Sequence, residues 1–151
     1  MASRGFEFAY MIDGSPGVPL VRDFILSAAA AHKIGDLMVI ETDGDLTQAA
    51  ATATEVTGVC QEAVAAAAIT AGTTKAKMAV ITRNQVWRCS MDDAHTTWVV
   101  GYTKAGDIID CNTLDHDNVD HGPCCLVDTD VDNDGNVLAY VCFLDTTFGN
   151  A

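Results

Sequence analysis

From residue 24 onward, short apolar runs alternate with turn residues. The runs predict strands over 24–29, 37–42, 55–61, 76–82, 85–90, 97–103, 108–111, 124–128 and 137–144. Between them stand Gly35-Asp36, Asp43-Gly44, Arg83-Asn84, Ala105-Gly106 and Asp134-Gly135. Asp-Gly between two apolar runs marks a hairpin, because glycine accepts positive φ without a Cβ clash. Strands joined in this way predict an all-β domain: a small antiparallel β-sandwich or a tulip-like barrel. Against the pattern stands the run AVAAAAITA at 63–71, with Gly72 as a helix stop. Alanine is the best helix former, yet so short a helix is marginal alone, so at most one short helix is expected.

Residues 1–22 read differently. They hold Pro16 and Pro19 and the alternating stretch Phe6-Glu7-Phe8-Ala9-Tyr10. Proline ends helices and cannot donate within a central strand. The expectation is an extended N-terminal arm with Phe6, Phe8, Tyr10, Val18 and Leu20 as anchors. The arm is either tucked along its own domain or laid on a neighbour's sheet edge. Residues 23–151 then form a single β-rich domain, a size that sustains its own core.

Charge narrows the functional classes. The chain has 151 residues with 21 acidic and 8 basic side chains, a net charge of −13. Phosphate backbones and anionic membranes are bound through clustered Lys and Arg, so neither nucleic acid nor a membrane surface is an expected partner. Of the acids, seventeen are Asp and four are Glu, which favours turns over helices. Residues 1–90 carry net −2 and residues 91–151 carry net −11, so attraction to a basic partner would come from the second part. The opening MASRGFEFAY has no signal-peptide core, and no apolar run reaches spanning length. The expectation is a protein that folds where it is made, with its six cysteines reduced.

Two clusters have the look of metal sites. Asp130, Asp132, Asp134 and Gly135 match the opening of a calcium loop, but Val141 stands where the bidentate carboxylate belongs. An Asp-rich hairpin tip is the favoured reading. Cys111, His116, His121 and Cys124 could supply four zinc ligands, but their spacing matches no usual knuckle. Cys89 and His95 are the best Cys–His pair by distance along the chain, and a buried structural thiol is the favoured reading there too. His32, beside Lys33, is expected to be solvated. No nucleophile elbow, zinc-protease motif or phosphate loop is present, so the chain is read as non-enzymatic, with no cofactor.

Lys75, Lys77, Arg83 and Arg88 fall with Trp87 in what reads as one hairpin. Set against the acidic second part, these five are candidates for a subunit interface through head-to-tail contact; the alternative is a solvated outer face.

The stretch AHKIGDLMVIETDGDLTQAAATATEVTGVCQEAV, followed by AGTTKAKMAVITRNQVWRC, resembles the core of tailed-phage head decoration (capsid cement) proteins. Lys33, Gly35, Asp36, Leu37, Asp43, Gly44, Gly58, Val59, Glu62, Ala63, Gly72 and Thr73 carry the likeness. GYTKAGDIIDCNTL and GPCCLVDTDVDNDGNVLAYVCFL resemble the closing strands. The resemblance implies a virion protein, assembled in the host cytoplasm. It would bind the outside of the capsid as a homotrimer at local three-fold positions and bridge major capsid protein subunits. The arm would then be the attachment element. The rival expectation is a non-enzymatic binding module, such as a fibre or adhesion domain. Its Asp-rich segments 107–120 and 128–135 would form a carbohydrate or cation surface.

Overall fold

Alternation along the strands sorts side chains into layers, and the computed structural model bears the β reading out. It describes residues 5–27, 30–50, 53, 55–91, 107–110, 113–115 and 124–148. Among them are eleven strands. These are β1 (Glu7–Met11), β2 (Val21–Ile25), β3 (Leu37–Ile40), β4 (Leu46–Gln48), β5 (Gly58–Cys60), β6 (Lys75–Val80), β7 (Gln85–Ser90), β8 (Asp107–Asp110), β9 (Thr113–Asp115), β10 (Cys124–Val131) and β11 (Val137–Phe143). One sheet has the order β1-β7-β11-β10 and a second the order β2-β6-β5-β3-β4, both antiparallel. β8 and β9 form a separate ribbon. The two larger sheets pack face to face as a small β-sandwich.

The shared core contains Phe6, Trp87, Cys89, Cys124, Leu126, Ala139, Val141 and Phe143 from or beside the four-stranded sheet. Leu37, Val59 and Ala79 face them from the five-stranded one. A second core of Leu26, Met38, Leu46, Cys60, Ile69, Ala76 and Met78 lies on the opposite face of the five-stranded sheet. That sheet curls until its edges touch: Leu26 bridges Leu46, and the Ser27 N–H donates to the Leu46 carbonyl at 3.0 Å. Because β3 and β5 are buried on both faces, they read as unbroken apolar runs instead of alternating ones.

Turn chemistry works as expected at two hairpins. Asp43-Gly44 closes β3–β4, with the Asp45 N–H donating to Asp43 Oδ1 at 3.0 Å. Asp134-Gly135 closes β10–β11. Arg83-Asn84 does not close a hairpin. β6 lies in one sheet and β7 in the other, so the chain turns a corner between layers there. The corner is pinned from inside by Gln85, whose Nε2 donates to the Val80 carbonyl and whose Oε1 accepts from the Thr82 N–H and from Trp87 Nε1.

The alanine run forms only a 3-10 turn at Ala66–Ala68, with no buried residue within it to hold a longer helix. The N-terminal segment is not a detached arm up to residue 11. β1 is hydrogen-bonded to β7, and Phe6 is 1% exposed within the shared core. Its N–H donates to the Gly35 carbonyl at 2.8 Å. At Gly5, φ is +69°, and a Cβ would sit 2.8 Å from the Gly35 oxygen, so the close approach requires glycine. The far end of the chain stitches the same two layers. Val56 bridges Thr146, and the hydroxyls of Thr57 and Thr147 lie 2.8 Å apart.

Candidate interaction surfaces

Among the described residues, two surfaces stand out once the cores are filled. The first follows from the β1–β2 connection. Pro16 and Pro19 deny this segment regular pairing, and its apolar side chains have no core to enter. Ile12, Val18, Leu20 and Val21 are exposed, Val18 by 81% and Leu20 by 59%. The segment runs into β2, which over residues 21–24 is the outer strand of its sheet and, among the described residues, pairs only with β6. An apolar groove of about 350 Å³ lies here, lined by Leu20, Phe24, Val80 and Phe148, with Arg22 and Asp23 at its margin. The Phe24 and Phe148 rings meet at 6.2 Å.

The second surface is the outer face of the four-stranded sheet. Register places Glu7 opposite Arg88, Arg88 opposite Tyr140, and Tyr140 opposite Asp128, one row across all four strands. Arg88 donates to Glu7 Oε2 and is also hydrogen-bonded to Tyr140. The bond to Glu7 first, and that to Tyr140 second, push the guanidinium pKa further up. The Tyr10 ring stacks on Tyr140 with centroids 6.2 Å apart and planes 30° apart. Partial burial, and then the Asp128 charge, raise the Tyr10 phenol pKa. Tyr10, Arg88, Tyr140 and Asp128, with Phe8, Thr129 and Asp130, line an open groove of about 590 Å³.

The expected anchors therefore divide. Val18 and Leu20 are exposed as an attachment element requires, and Tyr10 is 42% exposed on the second surface. Phe6 cannot anchor a partner because it fills the core. Phe8 is committed edge-on to Trp87 at 5.7 Å. Alternation explains the split: Phe6 and Phe8 share the inward face, and an irregularity between Phe8 and Tyr10 turns the next ring outward.

The proposed subunit-interface set also separates. Trp87 is fully buried, its ring inside the sandwich and its indole N–H held by Gln85, so it cannot touch a second subunit. Lys77 pairs with Asp23 across β6 and β2 at 3.6 Å, and Arg83 reaches Asp145 at 3.8 Å. Lys75 is exposed at the start of β6. Because β6 and β7 belong to different sheets, these cations do not form one ribbon. His32, expected in solvent, is 2% exposed, where its backbone pairs with Val64.

The Asp-rich hairpin spends its carboxylates on its own turn. Asp132 Oδ1 accepts from the Asp134 and Asn136 N–H groups, each at 2.9 Å, and Oδ2 accepts from Asn136 Nδ2. Asp128 and Asp130 each accept from the following backbone N–H. Among the described residues, no cluster of three His, Cys, Asp or Glu side chains is placed to hold a metal ion. Of the zinc candidates, Cys124 is buried in the core, while Cys111, His116 and His121 lie outside the described residues, as do His95 and the strand expected over 97–103. No disulfide joins any two of Cys60, Cys89, Cys124, Cys125 and Cys142. Burial, reinforced by neighbouring Cys125, pushes the Cys142 thiol up to about 11. Among the described residues, no helix is long and apolar enough to cross a membrane.

The row Glu7–Arg88–Tyr140–Asp128 was missed from sequence. Its only signal was the outward phase of three strands, and the sheet order that aligns them has no local signature.

No family model matches the chain, and no curated protein is significantly similar to it.

Proposed function

We propose that this is a non-enzymatic structural protein of a tailed-phage virion. It seats on the outside of the capsid as a homotrimer at local three-fold positions and stabilises the shell by bridging major capsid protein subunits. The observation carrying this reading is the exposed apolar segment around Val18 and Leu20, which leads into the outer strand β2. A folded domain that leaves bulky apolar side chains in solvent beside a strand edge unpaired among the described residues has a surface fit for partner docking. Added backbone hydrogen bonds along residues 21–24 would set register, and the Phe24–Phe148 groove would receive one apolar side chain. Three-fold repetition multiplies a modest contact into firm attachment.

The test is to replace Val18 and Leu20 together with Asp and to image the variant on capsids encoded by the same genome. Full-strength folding by circular dichroism with lost capsid occupancy is the expected outcome. Wild-type occupancy, or single copies seated away from three-fold positions, would overturn the reading.

A further inference from the structure

The outer-face groove has features that capsid attachment through β2 does not use, and its charges are sorted along its length. At the β1–β7 end stands Arg88, neutralised by Glu7 beside the groove. At the β10 end stand Asp128 and Asp130, both exposed and, among the described residues, without a cationic side chain as partner. Between the two ends lie the stacked rings of Tyr10 and Tyr140. An acidic edge strand by itself would only discourage edge-to-edge pairing. It would not require two tyrosines, stacked over the middle of the sheet, to border a groove of about 590 Å³.

We infer that this groove receives the cationic head of a Lys or Arg side chain from a basic polypeptide segment, with Asp128 and Asp130 as its counter-ions and the Tyr10–Tyr140 pair as its aromatic wall. An aromatic face attracts a cation through its quadrupole, and a carboxylate supplies a charge-assisted acceptor. Arg88 does not repel the guest, because Glu7 holds its charge and Tyr140 shares its donors. Arginine fits best: its planar guanidinium can stack on a ring while it bonds a carboxylate in the ring plane. The net charge of −13 steers such a segment toward the protein. The inference does not depend on the capsid reading.

The experiment titrates the full-length protein with a blocked Gly-Ser-Arg-Ser-Gly peptide, following the ring resonances of Tyr10 and Tyr140 by NMR. Parallel titrations use the same peptide with Gln in place of Arg, and maltotriose. Saturable shifts of both rings with the Arg peptide alone are expected. Asp128→Asn/Asp130→Asn should weaken binding about tenfold or more, the scale of losing charge-assisted hydrogen bonds. Asp43→Asn/Asp45→Asn, an equal charge change at the distant β3–β4 turn, should leave binding within about twofold, since exposed charges beyond a Debye length are screened. Equal weakening by both double variants would reduce the effect to diffuse attraction and overturn the site. Binding of the Gln peptide or of maltotriose as tightly as the Arg peptide would overturn the cationic guest.

Discussion

The two large sheets are built from similar residues but stand in different surroundings. The five-stranded sheet is covered on both faces, by the shared core on one side and by Leu26, Leu46 and Ile69 on the other. The four-stranded sheet lies on the shared core with one face; its other face, where Val86 and Leu138 are also buried, carries charged and phenolic side chains in register. A sheet buried twice holds the protein together and has nothing left to show a partner except its edge. A sheet buried once can display a row of chemistry on a rigid frame. Both candidate surfaces follow: an edge from the first sheet and a face from the second.

Core truncations break the comparison most severely. Trp87→Ala removes the largest buried side chain between the sheets and should destabilise by about 3–5 kcal/mol. Met78→Ala, on the second covered face of the five-stranded sheet, should cost about 2–5 kcal/mol. Urea unfolding followed by fluorescence and circular dichroism measures both. A Met78→Ala loss below about 1 kcal/mol would mean that this face is not a true core.

A smaller effect tests the open face. Glu7→Gln breaks a half-exposed ion pair and should cost no more than about 1 kcal/mol by the same unfolding measurement. A larger loss would mean that the outer face is covered and that the two sheets are alike.

The last effect is a pH slope. Cys142 faces outward from β11 opposite Cys125, yet burial holds its thiol at about 11 against an ordinary 9.0. Between those values the folded state binds the proton more tightly than the unfolded chain. Its contribution is therefore complete below pH 9 and is lost as pH rises through about 11. Raised phenol titration at Tyr10 acts in the same direction, so the measurement is the difference in melting temperature between wild type and Cys142→Ala across that window. The wild type should lose the more. Parallel slopes would place Cys142 in solvent.

The all-β class was legible because period-2 runs and Asp-Gly turns are local signals. Strand 85–90 matches β7 at both ends, and 137–144 overshoots β11 by one residue. Three strands went unread: β1, whose alternation was overridden by the prolines that follow it, and β4 and β9, which are only three residues long. The likeness to decoration proteins rests partly on residues that the fold itself demands. Asp36 is buried, its Oδ2 accepting from the Lys33 N–H at 3.0 Å and from Gln48 Nε2 at 2.7 Å. A Cβ on Gly58 would lie 2.9 Å from the Ala79 carbonyl oxygen. The candidate surfaces were partly legible. Val18 and Leu20 stand out as apolar residues among prolines, and outward phase could be read for Tyr10 and Arg88. Which outward residues would meet depends on the order β1-β7-β11-β10, which joins segments far apart in the chain and leaves no trace in any one of them.

That order has a consequence in time. β1 at Glu7–Met11 must wait for β7 at Gln85–Ser90, and β7 lies against β11 at Val137–Phe143. At ribosomal speeds of ~5–20 residues per second, β1 spends roughly 4–16 s without its partner. Pairings of such long sequence separation also slow the search for the native state after synthesis. Meanwhile the curled five-stranded sheet, drawn wholly from residues 21–80, can assemble first. The nascent chain thus holds Phe6 and Phe8 in reserve until β7 has been made, and the ends of the molecule close over a middle already built.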